Sequence, residues 1–262
     1  MPERLKLMGQ FITFDIQTLN QTYKMKYLAF FSTSIIGLAM LMGCSSGSCV
    51  NGSGNQVSQV RSVDQFSSID VGGSVKLIVK QGPVQQLRII ADDNIQKGIT
   101  TSVRSNQLII KMEDNFCETG LITIYATTRN LDGIEASGAV EVIGEGRINS
   151  TNFNLDLSGS SNVRLDISCG ELNTETSGSS KVTLKGQAGA HDIKMSGSAE
   201  LDAFEFIVGK YNINTSGASE LNVNALNELN VKSSGSSRLT YRGNPTRVTN
   251  DNSGSSSIKR IN

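Results

Sequence analysis

The sequence predicts an all-β protein whose main body is a parallel β-helix, a solenoid with coils of about 19 residues. The first observation is a Ser-Gly dipeptide that recurs seven times between Ser137 and Ser253, at steps of 18 to 21 residues. The second is a strand-like alternation of apolar residues around each dipeptide. The third is a composition with 26 glycines and no tryptophan, which favours short strands and tight turns. A fixed period of this length is typical of stacked coils that bury their apolar faces against one another.

The alternation becomes clear when each Ser of a Ser-Gly pair is numbered position 0. Apolar residues then fall at −5, −3 and +5, as Phe153, Leu155 and Val163 do around Ser158. Alternate side chains of a strand point to opposite faces, so the odd positions share one interior. By the same parity, we expect the Gly at +1 to face inward at a narrow corner and the Ser at 0 to face outward. The residues assigned to these structural turns are Ser137, Gly138, Ser158, Gly159, Ser177, Gly178, Ser196, Gly197, Ser216, Gly217, Ser234, Gly235, Ser253 and Gly254.

The N-terminal 43 residues are predicted to lie outside the fold. Residues 1–24 contain no repeat, and Met25 stands where a signal peptide should begin, so we interpret 1–24 as a mis-annotated extension. Two lysines then precede an apolar stretch, which makes residues 25–43 a signal peptide.

The signal peptide ends in Leu41-Met42-Gly43-Cys44, which resembles a bacterial lipoprotein box. In such a box the cysteine is acylated, so Cys44 is the predicted lipidation site and a membrane the predicted partner. The alternative is an ordinary signal peptide that ends near a cysteine. Residues 44–57 are rich in Ser, Gly and Asn and are predicted to form a flexible tether behind the acylated cysteine.

Residues 58–130 are predicted to form a β-rich part with related but more irregular coils. The segment Ile69–Leu77 matches Ile134–Val142 in polarity at every position, at an offset of 65 residues, a little over three coils. Residues 92–98 are expected to form a single helical turn. The pattern leaves open whether this part continues the solenoid or forms a separate one. Residues 131–262 form the regular repeat.

Two segments and the Ser-Gly ladder carry a resemblance to a known family. They are VDQFSSIDV at residues 63–71 and LDGIEASG at residues 131–138. With the ladder they resemble the putative autotransporter adhesin head-GIN domain family, found largely in envelope lipoproteins of Bacteroidetes, over residues 60–262. The resemblance implies a β-helical fold and an outer-membrane or other cell-envelope location. It supplies no catalytic residues.

Charge and composition argue against several classes of function. The formal net charge is zero and no long run of one sign occurs, so no nucleic-acid partner is predicted. One histidine and no Cys-x-x-Cys motif leave no metal site and no cofactor to predict. His191 lies in a Gly-Ala-His-Asp segment and is expected at the surface. Of the remaining cysteines, two of Cys49, Cys117 and Cys169 are expected to pair, without an indication of which.

A polysaccharide lyase-like β-helix enzyme is the alternative from another class. Its candidate acids are Asp156, Asp166 and Asp202. Candidate basic residues are Arg164, Lys185 and Lys194. Because catalysis needs such groups to converge within hydrogen-bond reach, and the pattern scatters them, no catalytic residue is predicted.

The outward serines at 0 and +2, such as Ser158 with Ser160, predict a regular array of hydroxyls. Such an array can bind sugars or order water. Serine also suits a bend and keeps the edge soluble, and we favour this structural explanation. The sequence as a whole therefore predicts a non-enzymatic, lipid-anchored envelope protein. Its β-helix presents a polar face to a glycan or protein partner, or serves a purely structural role in the envelope. No oligomeric state is predicted.

Overall fold

The computed structural model describes residues 49–261, so the predictions for the extension, the signal peptide and Cys44 lie outside the described residues. The described chain is built from strands and one short 3-10 turn, Ile95–Gly98, where a helical turn was expected. The strands are β1 (Gln56–Arg61), β2 (Ser68–Gln81), β3 (Gln86–Asp92), β4 (Ile99–Arg104), β5 (Gln107–Met112), β6 (Thr123–Thr128), β7 (Gly133–Gly159), β8 (Asn162–Gly178), β9 (Lys181–Gly197), β10 (Glu200–Gly217), β11 (Glu220–Gly235), β12 (Arg238–Arg242), β13 (Arg247–Gly254) and β14 (Ser257–Arg260).

The strands β7 to β11 form the predicted parallel β-helix. Each is long enough to bend around the coil and pairs in parallel with the next one. The register places equivalent repeat positions side by side, as Ser158 pairs with Ser177 and Ser177 with Ser196. The odd positions are buried as predicted, since Phe153, Leu155 and Val163 are fully buried. The repeat period therefore corresponds to one coil of the solenoid.

The N-terminal part continues the same sheet. β2 pairs in parallel with β7, from Ile69 beside Ile134 to Leu77 beside Val142, which are the positions matched in the sequence. The interpretation of the 65-residue offset as more than three coils is wrong, because the matched segments lie in adjacent coils. The chain between the two matched segments forms β3 to β6. In this part the pairs of β3 with β1 and β6, and of β4 with β5, are antiparallel.

Residues 49–55, assigned to a flexible tether, are attached to the body. Cys49 and Cys117 form a disulfide with their Cα atoms 5.7 Å apart. The backbone N–H of Val50 donates to the carbonyl of Asn115 at 2.8 Å, and that of Gly52 to the carbonyl of Glu118 at 2.7 Å. The tether prediction is corrected accordingly, and β1 already begins at Gln56. For residues 44–48, which lie outside the described residues, the flexible tether stays a prediction.

A candidate binding edge and cleft

The turns of successive coils stack into one row along the solenoid, called here the Ser-Gly edge. It comprises positions 0 to +4 of eight coils, residues 72–76, 137–141, 158–162, 177–181, 196–200, 216–220, 234–238 and 253–257. The glycine at +1 has φ between 89° and 138° in all eight. Residues with a side chain rarely adopt this conformation. At Gly197, moreover, an added Cβ would lie 2.5 Å from the carbonyl oxygen of Gly178.

The glycines of the edge do not face inward as predicted. Gly138, Gly159, Gly178 and Gly197 are exposed, like the serines that precede them. Parity fails at this point because the positive φ turns the chain, and strand alternation resumes only after the turn. The position predicted as a tight interior corner is therefore a solvent-facing turn.

Small polar side chains fill the interior directly behind the edge. Three of the serines at +3, Ser161, Ser180 and Ser219, are each 3% exposed. Their hydroxyls make no hydrogen bond within the described residues. At −1, Thr215 Oγ1 donates to Ser233 Oγ at 3.0 Å. These short side chains let the two sides of each coil approach closely, which keeps the turn narrow.

The outward positions of the edge line an open groove of about 780 Å³. Serine hydroxyls at +2, such as Ser160, Ser179 and Ser198, alternate along it with charged groups at +4. Lys181 Nζ lies 2.8 Å from Glu200 Oε1 in the neighbouring coil. The backbone N–H groups at +2 already donate to the glycine carbonyl of the preceding coil, at 2.8 to 2.9 Å. The groove therefore offers side-chain hydroxyls and charges of both signs to a ligand.

The edge changes at the end of the stack nearest the N-terminus, where β5 and β6 form one last coil, called here the cap coil. Ile110 pairs with Val71 and Thr123 with Lys76, so both sides of this coil keep the repeat register. Between these paired positions β2 has four residues, 72–75, whereas the cap coil has twelve, 111–122. A loop, residues 113–121, thus stands where the other coils have a Ser-Gly turn.

This cap loop and the first turns of the Ser-Gly edge enclose a cleft of about 950 Å³. Gly72, Gly73, Ser74 and Ser137 line one side of it. Side chains from β5 and the cap loop line the other side, and these are Lys111, Met112, Asp114, Phe116 and Leu121. The cleft is therefore continuous in repeat position with the edge. The sequence interpretation missed it. The pairing with β2 gives Leu108, Ile110 and Ile122 the −3, −1 and +3 positions of a coil, and all three are buried.

Two carboxylates, Asp70 and Asp114, line the cleft. Asp70 belongs to a regular coil, where it occupies position −2 of the repeat. Burial and the neighbouring charge of Glu135 raise the pKa of Asp70, and Lys111 opposes this shift. The −2 position carries an acid in four further coils, Glu135, Asp156, Glu175 and Asp251. Burial and the two flanking acids likewise raise the pKa of Asp156. Asp156 thus matches Asp70 in repeat position and lies outside the cleft lining.

The prediction that His191 lies at the surface is wrong. Its ring is fully buried in β9 and packs against Phe206 and Tyr211. Its Nε2 and Thr174 Oγ1 are 2.9 Å apart in a hydrogen bond. Burial lowers the pKa of His191 to about 3. His191 stands at −5, where the other coils place Leu172 or Tyr211, so the repeat itself indicated an interior position.

The candidate acids and bases of the alternative enzyme are not brought together. Asp166 accepts hydrogen bonds from Arg147 at 2.8 and 3.3 Å. The basic candidates Arg164, Lys185 and Lys194 each pair with a glutamate of a neighbouring coil, at 2.9 to 3.7 Å. Within residues 49–261, no group of three or more His, Cys, Asp or Glu side chains is placed to hold a metal ion.

Cys169 is the cysteine left free of the disulfide among the described residues, and it is partly buried. Burial, with a smaller contribution from Glu171, raises the pKa of its thiol to about 11. A thiol in this state is a weak nucleophile, so Cys169 is a packing residue.

The sequence signature of the family described as "Putative auto-transporter adhesin, head GIN domain" matches residues 65–245. No curated protein matches the sequence. Within the part of the chain that the structure describes, no helix combines the length and apolarity needed to cross a membrane.

Several crystal structures share the fold. A "putative adhesin" from Bacteroides fragilis NCTC 9343 is 22% identical with a TM-score of 0.74, covering 81% of this chain and 100% of that one. A "Putative lipid binding protein" from Parabacteroides distasonis ATCC 8503 is 19% identical with a TM-score of 0.68, covering 82% and 100%. A "putative adhesin" from Parabacteroides merdae ATCC 43184 is 17% identical with a TM-score of 0.67, over the same shares. The resemblance and the β-helical fold drawn from the sequence are both confirmed.

Proposed function

The chain belongs to the family described as putative auto-transporter adhesin, head GIN domain, and we propose on this premise that it is a non-enzymatic adhesin-like protein of the cell envelope. Its ligand is an extended glycan that lies along the Ser-Gly edge. The observation that carries the proposal is the groove itself, which repeats a serine hydroxyl at +2 and a charged group at +4 in most of its coils. Successive coils are about 4.8 Å apart, so the groove suits a polymer with regularly spaced polar groups.

The chemistry of the groove favours hydroxyl-rich ligands. Ser160, Ser179 and Ser198 each present a hydroxyl that both donates and accepts, as sugar hydroxyls do. The charged groups beside them are Lys181, Glu200, Glu220 and Arg238, two of each sign, so no single sign of charge dominates. Because the groove is shallow and polar, each coil contributes little, and we expect affinity to grow with the number of coils that a chain spans.

A binding role also fits the state of the charged side chains. Groups that would serve as acid or base in a lyase are held in exposed ion pairs, such as Arg147 with Asp166 and Lys185 with Glu205. Such pairs neutralise the outer faces of the coils. The lyase alternative predicts turnover of a polysaccharide that is abolished by substitution of Asp156, Asp166 or Asp202, and observing it would replace this proposal.

Anchoring at Cys44 is part of the proposal. Cys49 is fixed to the body by its disulfide and follows Cys44 by five residues, a reach of at most about 17 Å. An acylated Cys44 would therefore hold the cap-coil end of the solenoid close to the membrane surface. Cell fractionation tests this step: Cys44→Ala should leave the membrane fraction, and its retention there would refute the anchor.

Glycan binding is tested by screening the full chain against neutral and anionic oligosaccharides. Ser179→Trp and Ser198→Trp place a bulky side chain in the groove and should abolish binding. Leu226→Trp is the matched control, since Leu226 is 49% exposed and lies outside the groove lining. Binding that survives both groove substitutions, or a screen without any binder, would contradict the proposed function.

A further inference from the structure

We infer that the cleft under the cap loop is a separate subsite, which binds the terminal residue of an uncharged glycan whose following residues lie along the Ser-Gly edge. The inference rests on the proposed function and goes beyond it, because it assigns a charge class to the ligand and a direction to its binding.

The position of the cleft is the first argument. Its floor is built from Gly72, Gly73 and Ser74, which are positions 0, +1 and +2 of the edge. Ser137, position 0 of the next coil, also lines it. A chain that follows the turns toward the N-terminal end of the stack therefore enters the cleft and meets the cap loop there.

The side chains of the cleft differ from those of the groove in a way that suits a sugar ring. Met112, Phe116 and Leu121 supply an apolar wall, and Leu121 is 61% exposed. The C–H face of a pyranose packs against such a wall. The groove has no comparable apolar surface, since its lining is serine, alanine and polar or charged residues. A sugar residue would therefore gain contacts in the cleft that the remaining coils do not offer.

Polar groups complete the subsite. The Asp70 carboxylate accepts hydrogen bonds from hydroxyls, and the Lys111 ammonium donates them. Both side chains line the cleft, and neither forms a hydrogen bond or a short ion pair with another described residue. Sugar hydroxyls would satisfy groups that the chain itself leaves free.

The charges of the cleft select against an anionic residue, and a neutral residue can use groups of both signs. Asp70 and Asp114 line the cleft, with Glu135 in the adjacent coil, so a uronate or sulfate meets like charge. Lys111 offsets part of the attraction that these carboxylates exert on the ammonium group of an amino sugar. A neutral hydroxyl ligand uses both signs and is repelled by neither.

The cap loop is held firmly enough to form a wall. The Cys49–Cys117 disulfide joins it to the segment that precedes β1. Asp114 and Phe116 pack over Gly98, where an added Cβ would lie 2.7 Å from Asp114 Oδ2 and 2.9 Å from Phe116 Cζ. The subsite is therefore largely formed before a ligand arrives, which lowers the entropy lost on binding.

Calorimetric titration of the full chain tests the subsite, with maltohexaose, cellohexaose and chitohexaose as neutral probes and hexagalacturonate as the anionic probe. Asp70→Asn and Ser74→Trp alter the cleft. Asp156→Asn is the matched control, because Asp156 occupies the same −2 position with the same direction of pKa shift. Ser179→Trp alters the groove alone.

We expect at least one neutral hexaose to bind, with affinity reduced about tenfold or more by Asp70→Asn and by Ser74→Trp and changed less than twofold by Asp156→Asn. Equal effects of Asp70→Asn and Asp156→Asn, or no effect of either cleft substitution while Ser179→Trp abolishes binding, would overturn the subsite and leave the proposed function standing. Preference for hexagalacturonate would overturn the charge class. Failure of all four probes to bind would count against both the subsite and the groove.

Discussion

The regular coils and the cap coil share a register and differ in how they close. In the regular coils the chain turns within three residues, and the turn depends on a glycine stacked on the glycine of the coil before it. In the cap coil the same place holds a loop of nine residues, 113–121, fixed by the Cys49–Cys117 disulfide. One form of closure is periodic and leaves a shallow edge. The other is local and opens a cleft, so the departure from the repeat is where a specific site can form.

The largest expected effect separates a glycine turn that stacks on another glycine turn from the glycine turn that faces the cap coil. Gly197→Ala combines a strained φ of +97° with a Cβ 2.5 Å from a backbone carbonyl, and should destabilise the fold by about 4 kcal/mol. Gly73→Ala has a similar φ, +102°, but its Cβ meets only the flexible Met112 side chain, at 2.9 Å, so we expect about 2 kcal/mol. Urea denaturation measures both, with Ser198→Ala as the unstrained control. Equal losses would show that stacking on the glycine below contributes nothing.

The disulfide is expected to matter only on the cap side of the comparison. It joins residues 68 apart, and replacing Cys49 and Cys117 by Ser should lower the local stability of the cap coil by about 3 kcal/mol. Hydrogen exchange should quicken in residues 49–55 and in the cap loop, while β8 to β11 keep their protection. Uniform loss of protection along the solenoid would mean that the two regions are not separable.

Acid sensitivity is expected on the side of the regular coils, at His191. Its pKa is about 3 in the fold and near 6.5 when unfolded, so between these values the unfolded chain binds more protons and stability falls as the pH falls. From pH 7 to pH 5 the loss should be about 2 kcal/mol. His191→Leu, which places in this coil the residue that Leu172 provides in its neighbour, should remove this dependence. Urea denaturation of the unsubstituted chain and of His191→Leu at pH 7 and pH 5 measures this. If both proteins lost the same free energy of unfolding between the two pH values, His191 would not be buried in its neutral form.

The smallest effect is expected within the regular coils, at a charge cluster one coil away from the coil that meets the cap coil. Glu141 in β7 lies 3.4 Å from Lys76 Nζ in β2 and 2.9 Å from Arg164 Nη1 in β8. Hydrogen bonds and charge from these two residues lower the pKa of Glu141. Because the carboxylate is exposed, Glu141→Gln should destabilise the chain by only about 0.5 kcal/mol, and less at high salt. A loss above about 2 kcal/mol would contradict the expectation that an exposed ion pair contributes little to stability.

The repeat pattern was sufficient to predict the solenoid, its interior and the match between Ile69–Leu77 and Ile134–Val142. Two predictions made for individual residues were wrong. Parity placed Gly159 inside, because strand alternation does not hold through a residue with positive φ. A general expectation for histidine placed His191 at the surface, although its −5 position indicated the core. A second stack of glycines, Gly170, Gly189 and Gly209, also passed unnoticed, and there backbone proximity rather than φ excludes a side chain.

The cleft could not be predicted from the period, for a physical reason. The cap coil is assembled from β5 and β6, which follow β2 in sequence but precede it in the stack. Antiparallel β3 and β4 lie between β2 and β5 along the chain, so the spacing from β2 to the cap coil carries no trace of the repeat. Only pairing in three dimensions shows that Ile110 and Ile122 flank a missing Ser-Gly turn.

The central claim is that the candidate site exists because one Ser-Gly turn has been replaced by a loop. Replacing residues 112–121 by Gly-Ser, together with Cys49→Ser, restores the turn in the cap coil and tests this claim most directly. We expect a folded chain with unchanged strand content by circular dichroism. Neutral hexaoses should bind it about tenfold more weakly, and that residual binding should still be lost with Ser179→Trp. A chain that cannot fold would contradict the shared register, and undiminished hexaose binding would contradict the cleft.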